Sequence, residues 1–433
     1  MKKKMNIAIV GLGNIGSYFY NFLKKNKQAL FNKTNVEPYI KYVSARSFSK
    51  KRGISIPANL WIKNYLDITR DKDVDIIIEL IGGSDGAAKK LVFAALNNKK
   101  HVVTANKALV AKYGDQLTKI AEKNKVNFEF EAAVCGGIPI IRTMKEGLIA
   151  NQINKIYGIL NGTSNFILSS MDKENLEYKD ALIKAQELGY AESNPSADIN
   201  GDDVASKLKI LTALSFNSLI NNNSILMEGI KEIDHIDINN ANQLGYKIKL
   251  LGIAERVENQ ILQRVHPVLI KENSYIAKIN GVLNAVVVDS RPVGQTILQG
   301  EGAGPGPTTS ALISDLCSIL RGNIKFPFVV SSVKRKKALY KKIDDKKFQV
   351  YLRLDVKDKY GVLSDITKVM ASNKVSIKRL IQNPTNKLSN ASIIIITHIG
   401  KNSSFIKVLK SLSKKKYMVN KPKLIRIENF SWV

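Results

Sequence analysis

Apolar and polar positions change period several times along the chain, and each change marks a part. Asn6–Val10 (NIAIV) is a short apolar run, the pattern of a strand buried on both faces. It leads directly into Gly11-Leu12-Gly13-Asn14-Ile15-Gly16 and then into SYFYNFLKK, whose apolar spacing is helical. Further strands at Tyr39–Ala45, Val74–Leu80, His101–Thr104 and Asn127–Ala132 alternate with helical stretches near Ala87–Leu96 and Ala108–Lys123. Strand and helix alternating on this scale predict an α/β fold, with a Rossmann-type doubly wound parallel sheet over residues 1–132.

Beyond Ala132 the elements come in blocks. Cys135–Pro139 is a turn and a helix carries Arg142–Glu146. The strand Lys155–Leu160 leads to Asn161-Gly-Thr-Ser-Asn165 and another helix. Long helices are expected from there to about residue 258, broken by a polar stretch in which Pro195 forbids a helix until Asn200-Gly201-Asp202 restarts one. Strands follow near Leu262–Ile270 and Ala285–Val288, and a glycine-rich loop, Gln299–Thr309, opens the helix Ser310–Leu320. This pattern predicts an α+β substrate domain over 133–300, with about 300–330 returning to complete the first domain. A lysine-rich linker, 333–347, precedes 348–433, whose β-α-β-β-α-β order fits a ferredoxin-like sandwich without an obvious catalytic constellation.

A length of 433 residues accommodates these parts as two or three domains. The net charge of +30 raises a nucleic-acid role, but the lysines are scattered in small groups among Asn and Ile with no interleaved aromatics, so neither nucleic acid nor membrane is expected as a partner. Two distant cysteines, no cleavable leader and no membrane-length apolar run fit a cytoplasmic, reducing setting.

Chemistry concentrates in three places. GxGxxG directly after a strand and opening a helix suits a dinucleotide pyrophosphate, since its glycines allow a tight turn and the helix N-terminus attracts the anion. Where a free ribose 2′-hydroxyl would call for an acid, the second strand ends at Arg46, followed by Lys50, Lys51 and Arg52, so NADP is preferred over NAD. Lys107 stands at the carboxyl end of a strand, where such sheets bind ligands. On the restarted helix Asp203 and Lys207 are four apart and share a face, with Glu192 on the loop before them. Two carboxylates beside an ammonium can hold a small zwitterion and deliver a proton to it. Gly302, in the second glycine loop, can offer backbone amides to the cofactor.

GLGNIGS, TANKALVA, EAAVCGGIPII, ILNGTSNFIL, LGYAESNPSADINGDDVASKL, LGYKIKLLGIA and GEGAGPGPTTSA, in that order, resemble homoserine dehydrogenase of the long form with a C-terminal ACT-type regulatory domain. The resemblance implies interconversion of L-aspartate 4-semialdehyde and L-homoserine with NAD(P)H. It implies proton transfer by Lys207 with Lys107 a second candidate, substrate contacts at Glu192 and Asp203, and cofactor contacts at Lys107, Gly189 and around Gly302. It further implies a monovalent cation such as sodium near Glu131, Val134, Gly136 and Ile138, largely on backbone carbonyls. A homodimer or homotetramer formed through the substrate domain is also implied, as is an amino-acid effector, L-threonine, near Asp358–Leu363. The family's loop proline is Tyr360 here. A chain ending near Lys347 is expected to remain active but insensitive. Two other readings stay open on the residues alone: a semialdehyde dehydrogenase using Cys135 as nucleophile, and a dinucleotide-sensing, nucleic-acid-binding regulator.

Overall fold

Strands β1 (Lys4–Val10), β2 (Glu37–Ser44), β3 (Ile76–Glu79), β4 (His101–Thr104) and β5 (Phe128–Glu129) form a parallel sheet in the order β2-β1-β3-β4-β5. The computed structural model describes residues 3–221, 225–384 and 389–430. Parts of three expected domains therefore lie outside the described residues: 1–2 of the first, 222–224 of the second, and 385–388 and 431–433 of the last. Ile7, Ala8 and Ile9 are wholly buried, as a central strand covered on both faces requires. The chain leaves β1 towards β2 on one side and returns to β3 on the other, which opens a crevice at the carboxyl end of β1. The helix Pro305–Leu320 comes back to pack on the helix Asn14–Thr34, its Leu312 and Leu316 lying with Phe19 and Leu23.

The second sheet is mixed. It contains β6 (Gln152–Ile159), β7 (Leu226–Met227), β8 (Tyr246–Val257), β9 (Gln260–Lys271), β10 (Leu283–Arg291) and β11 (Gly294–Glu301). It continues into β12 (Lys347–Lys357), β13 (Ile377–Pro384), β14 (Asn390–Thr397), β15 (Gly400–Lys401) and β16 (Lys423–Ile427). The main order is β11-β10-β6-β8-β9-β16-β12-β14-β13, with β7 on β9 and β15 on β12. The last part has the order β16-β12-β14-β13 with helices Val362–Ser372 and Asn402–Leu412, the expected ferredoxin-like sandwich. Its edge strand β16 pairs in parallel with β9, so the sandwich extends the second sheet instead of standing free.

Three local expectations change. Residues 246–257 are strand β8, not helix: KIKLLGIA is apolar almost throughout, so its period cannot choose between the two. The strand wins because both faces are covered, Leu250 and Ala254 packing in one core and Leu251 and Ile253 in another. Pro195 does not forbid a helix; it starts the short one at Ser196–Ile199, where its missing N–H has no partner to lose. The strand expected to run to Ala132 stops at Glu129, because the Glu131 amide donates to Asp315 (2.9 Å) and its carboxylate accepts the amides of Ile141 (2.9 Å) and Arg142 (2.7 Å). The lysine-rich 333–347 segment is not a free linker but is packed against the rest of the chain. Lys336 accepts from Leu219 and Lys341 donates to Ile261, while buried Arg335 stacks on Phe328 and pairs with Asp115 at 2.8 Å. Among the described residues no helix is long and apolar enough to cross a membrane.

Candidate functional site

A cavity of about 560 Å³ lies between the two sheets, bounded by Ile15 and Lys107 on one side and by Gly189, Glu192, Asp198, Asp203 and Lys207 on the other. The helix Asp202–Phe216 supplies the last two. It starts at Gly201, whose φ of +93° suits glycine, and a Cβ there would come within 3.1 Å of Val265. Helical spacing then brings Lys207 back over Asp203: Nζ is 2.7 Å from Oδ2 and also donates to the Leu160 carbonyl at 2.6 Å.

The second lysine comes from the other domain. Lys107 opens the helix Lys107–Asn124 immediately after β4. Asn106 caps that helix by accepting from Leu109 and is itself tied to Gly83. Lys107 Nζ reaches Asp203 Oδ1 at 2.5 Å. Two ammonium groups on separate domains therefore share one buried carboxylate. Burial would push Asp203 up, but Lys207 and Lys107, with the Asn161 amide, hold it well below the usual carboxylate range. Burial would push Lys207 down; Asp203 outweighs it and keeps the ammonium above its ordinary range. A protonated lysine thus faces the cavity, with a permanent counter-charge beside it.

The sequence pattern missed two members of this group. Asn161 Nδ2 donates to Asp203 Oδ2 (2.9 Å) and to Asp198 Oδ1 (2.7 Å), joining the two carboxylates, while its Oδ1 caps the helix Gly162–Glu174. Burial pushes Asp198 up, and the Asn161 bond only partly offsets it. Asp198 stands at no regular spacing from Asp203, so nothing in the pattern set it apart. Glu192 is exposed at the cavity rim, and Gly189 turns the chain there with φ +75°.

At the other end, Gly11 has φ +105° and a Cβ there would meet the Leu80 carbonyl at 2.3 Å, while a Cβ on Gly16 would meet the Gly11 carbonyl at 2.0 Å. Gly13 has no atom near its Cβ position and faces open space at the start of a helix with no acid in its first turn. This geometry fits a pyrophosphate. A groove of about 340 Å³ continues from Leu12, Gly13 and Asn14 to Lys50, Lys51 and Arg52. Arg46 is exposed and does not line it. Arg52, which the sequence offered only as part of a basic cluster, organises the loop: it donates to Leu12 (3.1 Å), Lys50 (2.7 Å) and Ser47 carbonyls and lies on Trp61. Gly302 closes the cavity from above, where a Cβ would fall 1.9 Å from the Asn284 amide.

The turn Glu131–Ile138 lies beneath Gly302, with Cys135 at φ +54° and Gly136 at φ +39°. Glu131, Val134 and Ile138 are buried, and the Glu131 carboxylate is already taken by two amides, which leaves main-chain oxygens as donors for any cation. Burial pushes the Cys135 thiol up despite Lys207 and Asn284, the reverse of what a nucleophilic thiolate needs.

Residues 11–131 match the family model of the homoserine dehydrogenase NAD-binding domain, 139–317 that of homoserine dehydrogenase, and 350–416 the ACT domain. The homoserine dehydrogenase of Neisseria gonorrhoeae is 41% identical over 404 residues, covering 92% of each chain. That of Helicobacter pylori is 40% identical over 430 residues, 99% of this chain and 100% of its own. The crystal structure of a homoserine dehydrogenase from Thiobacillus denitrificans superimposes with a TM-score of 0.92 at 37% identity, over 99% of both chains. The three family models follow one another in the order of the two sheets, and the relatives are matched from end to end, so the chain belongs to the homoserine dehydrogenase family.

Proposed function

We propose that this homoserine dehydrogenase works through the Lys107–Asp203–Lys207 cluster, with Lys207 moving the proton. The observation that carries the reading is a single buried carboxylate held by two lysines from different domains, at 2.5 and 2.7 Å, on the cavity wall. A nicotinamide bound in the cavity supplies or accepts the hydride. On the protein side, Lys207 faces the carbonyl carbon's oxygen with a charged N–H, offsets the negative charge that grows there, and then gives it a proton. An alkoxide is far more basic than any lysine, so the raised affinity of Lys207 for its proton does not prevent the transfer. Lys107 adds a second positive group. Glu192, Asp198 and Asp203 supply carboxylates for the substrate ammonium; Asp198 joins the set because it lines the same cavity beside Asp203. The test is Lys207→Ala, assayed with aspartate 4-semialdehyde: turnover falls roughly 100-fold or more while the dinucleotide still binds. Near-normal turnover would move the role to Lys107.

The finer readings rest on the same geometry. Gly11, Leu12, Gly13, Asn14, Ile15, Gly16, Lys107, Gly189 and Gly302 hold the dinucleotide, with Lys50, Lys51 and Arg52 favouring a 2′-phosphate and hence NADP. Arg46 lies further out. The buried carbonyls of Glu131, Val134, Gly136 and Ile138 fit a monovalent cation such as sodium through neutral oxygens. Exchanging sodium for a bulky organic cation then lowers the melting temperature of the enzyme, and no change would remove the site. The functional units are 1–132 with 300–330, 133–300, the 333–347 linker and 348–433. The enzyme is cytoplasmic and assembles as a homodimer or homotetramer, to be weighed by sedimentation. L-threonine acts at the ACT-type domain.

A further inference from the structure

Strand β9 carries two partners end to end on one edge, both parallel to it. Leu226 and Met227 of β7 lie opposite Arg264 and Val265, and Arg426 and Ile427 of β16 lie opposite Val268 and Leu269. β7 belongs to the substrate domain and β16 to the ACT-type domain. Where they meet, the Arg426 guanidinium grips both oxygens of Glu228, at 3.0 and 2.8 Å, while its Nε donates to Asn402 at 2.9 Å. Arg426 is buried and Glu228 half-buried, so a fixed guanidinium holds both carboxylate oxygens through its Nη1 from the protein side. His266 on β9 lies within the field of both Arg426 and Arg264, and Arg264 is answered by Glu255 and Glu428.

Beyond Glu228 the chain touches the catalytic loop. The Glu228 amide donates to Val265, and the next residue, Gly229, lies so close to Ile199 and Asn200 that a Cβ would fall 2.2 Å from the Ile199 carbonyl. The Ile230 amide donates to that same carbonyl at 2.9 Å. Ile199 follows Asp198 and leads through Gly201 into the helix that carries Asp203 and Lys207. Glu228–Ile230 is thus a strap tied at one end to the regulatory strand and at the other to the backbone beneath the catalytic carboxylates.

We infer that Glu228 is a positioning residue for the Asp198–Asp203 pair, clamped by Arg426 so that the seating of the ACT-type domain on β9 sets the geometry of the catalytic cavity. The inference rests on the reading of Asp203 and Lys207 as the reacting cluster. In this device the ACT-type domain need not reach the cavity itself: a small shift of β16 moves Glu228, and the close Gly229–Ile199 packing passes the shift on.

The experiment uses the full-length enzyme. Glu228→Gln removes the charge but keeps the shape. It should lower kcat about fivefold and displace the acid limb of the pH profile of kcat/KM, with NADPH affinity measured by fluorescence unchanged within about twofold. Glu228→Asp, which keeps the charge, should restore part of kcat. Arg353→Lys, which weakens a different docking contact of the same domain at Asp237, serves as a comparison and should lower the melting temperature without displacing the acid limb. A Glu228→Gln enzyme that is merely less stable, with unchanged kcat and pH profile, overturns the inference, and so does an equal displacement in Arg353→Lys. Asp203→Asn separates the two layers: if it retains turnover, the cluster reading itself fails; if it does not, a neutral Glu228→Gln removes only the strap.

Discussion

At the scale of single residues, the site is a contest between burial and charge settled in favour of charge. Lys207 is almost fully enclosed, which alone would neutralise it, yet Asp203 at 2.7 Å keeps its ammonium above the ordinary 10.5. The sign of the consequence follows directly. If Lys207 moves the proton as proposed, oxidation of the alcohol needs it neutral to take the hydroxyl proton, and below a raised pKa the neutral fraction grows tenfold for each pH unit. We predict that kcat/KM for homoserine oxidation climbs from about pH 7 to about pH 10 without levelling, while aldehyde reduction, which needs the ammonium, stays flat from about pH 7 to about pH 9. Lys207→Arg, unable to lose its proton, should abolish the climb; steady-state rates in both directions across this range decide it. A second prediction concerns Gly302. A methyl there would collide with Asn284, so Gly302→Ala should cost about 1–3 kcal/mol of stability and weaken dinucleotide binding, read by thermal melts and fluorescence titration. Asp203 and Lys207 were legible because helical spacing is written in the sequence. Asn161 and Asp198 were not, because their contact depends on a crossing of β6 and a loop some 40 residues on, about which local pattern is silent.

Among the elements, the loop after β2 shows how a role read from composition is redistributed by backbone geometry. Arg46, Lys50, Lys51 and Arg52 are alike in charge, but the loop bends so that Lys50, Lys51 and Arg52 line the groove beside Gly13, and Arg52 spends its guanidinium on the Leu12, Lys50 and Ser47 carbonyls. We predict a division of labour. Lys50→Ala and Lys51→Ala should each weaken NADPH by about tenfold while sparing NADH. Arg52→Lys, which loses the planar fork, should weaken both cofactors by loosening the turn at Leu12. Arg46→Ala should do little. Titration of each variant with both cofactors checks the pattern, and equal losses for NADH and NADPH in the two lysine variants would refute the 2′-phosphate reading. The same contrast explains which elements were legible. The parallel sheet announces itself through alternation of strand and helix; β8 does not, because a strand buried on both faces and a buried helix look alike in an unbroken apolar run.

At the scale of the whole molecule, the ACT-type domain was visible as a β-α-β-β-α-β string, but its attachment was not, since parallel pairing of β16 with β9 joins segments more than 150 residues apart. That attachment changes what removing the domain should do. Glu428 answers Arg264, which has no exposed surface, and Arg353 reaches back to Asp237 on the helix His235–Gln243 and to its cap, Asp234. A chain ending at Lys346 would lose Glu428 and bare the β9 edge, leaving Arg264 with Glu255 alone. We therefore predict that this chain is insensitive to threonine, as an isolated catalytic unit should be, but melts several degrees lower and is prone to aggregate. The cleaner test keeps the domain and alters its loop. Asp358 and Gly361 flank Tyr360, whose side chain is fully exposed, and Gly361 takes φ +82° at the start of the helix Val362–Ser372, where a bulkier residue would be strained. Inhibition requires threonine to bind one conformational state better than another. Asp358→Ala should thus leave melting temperature and uninhibited kcat unchanged while shifting the threonine concentration for half-inhibition upward by about tenfold or more. Side-by-side threonine titrations of the wild-type and Asp358→Ala enzymes measure this directly. Identical curves would place the effector elsewhere, and a flat wild-type curve would show that in this enzyme the domain serves the sheet and its strap without sensing threonine.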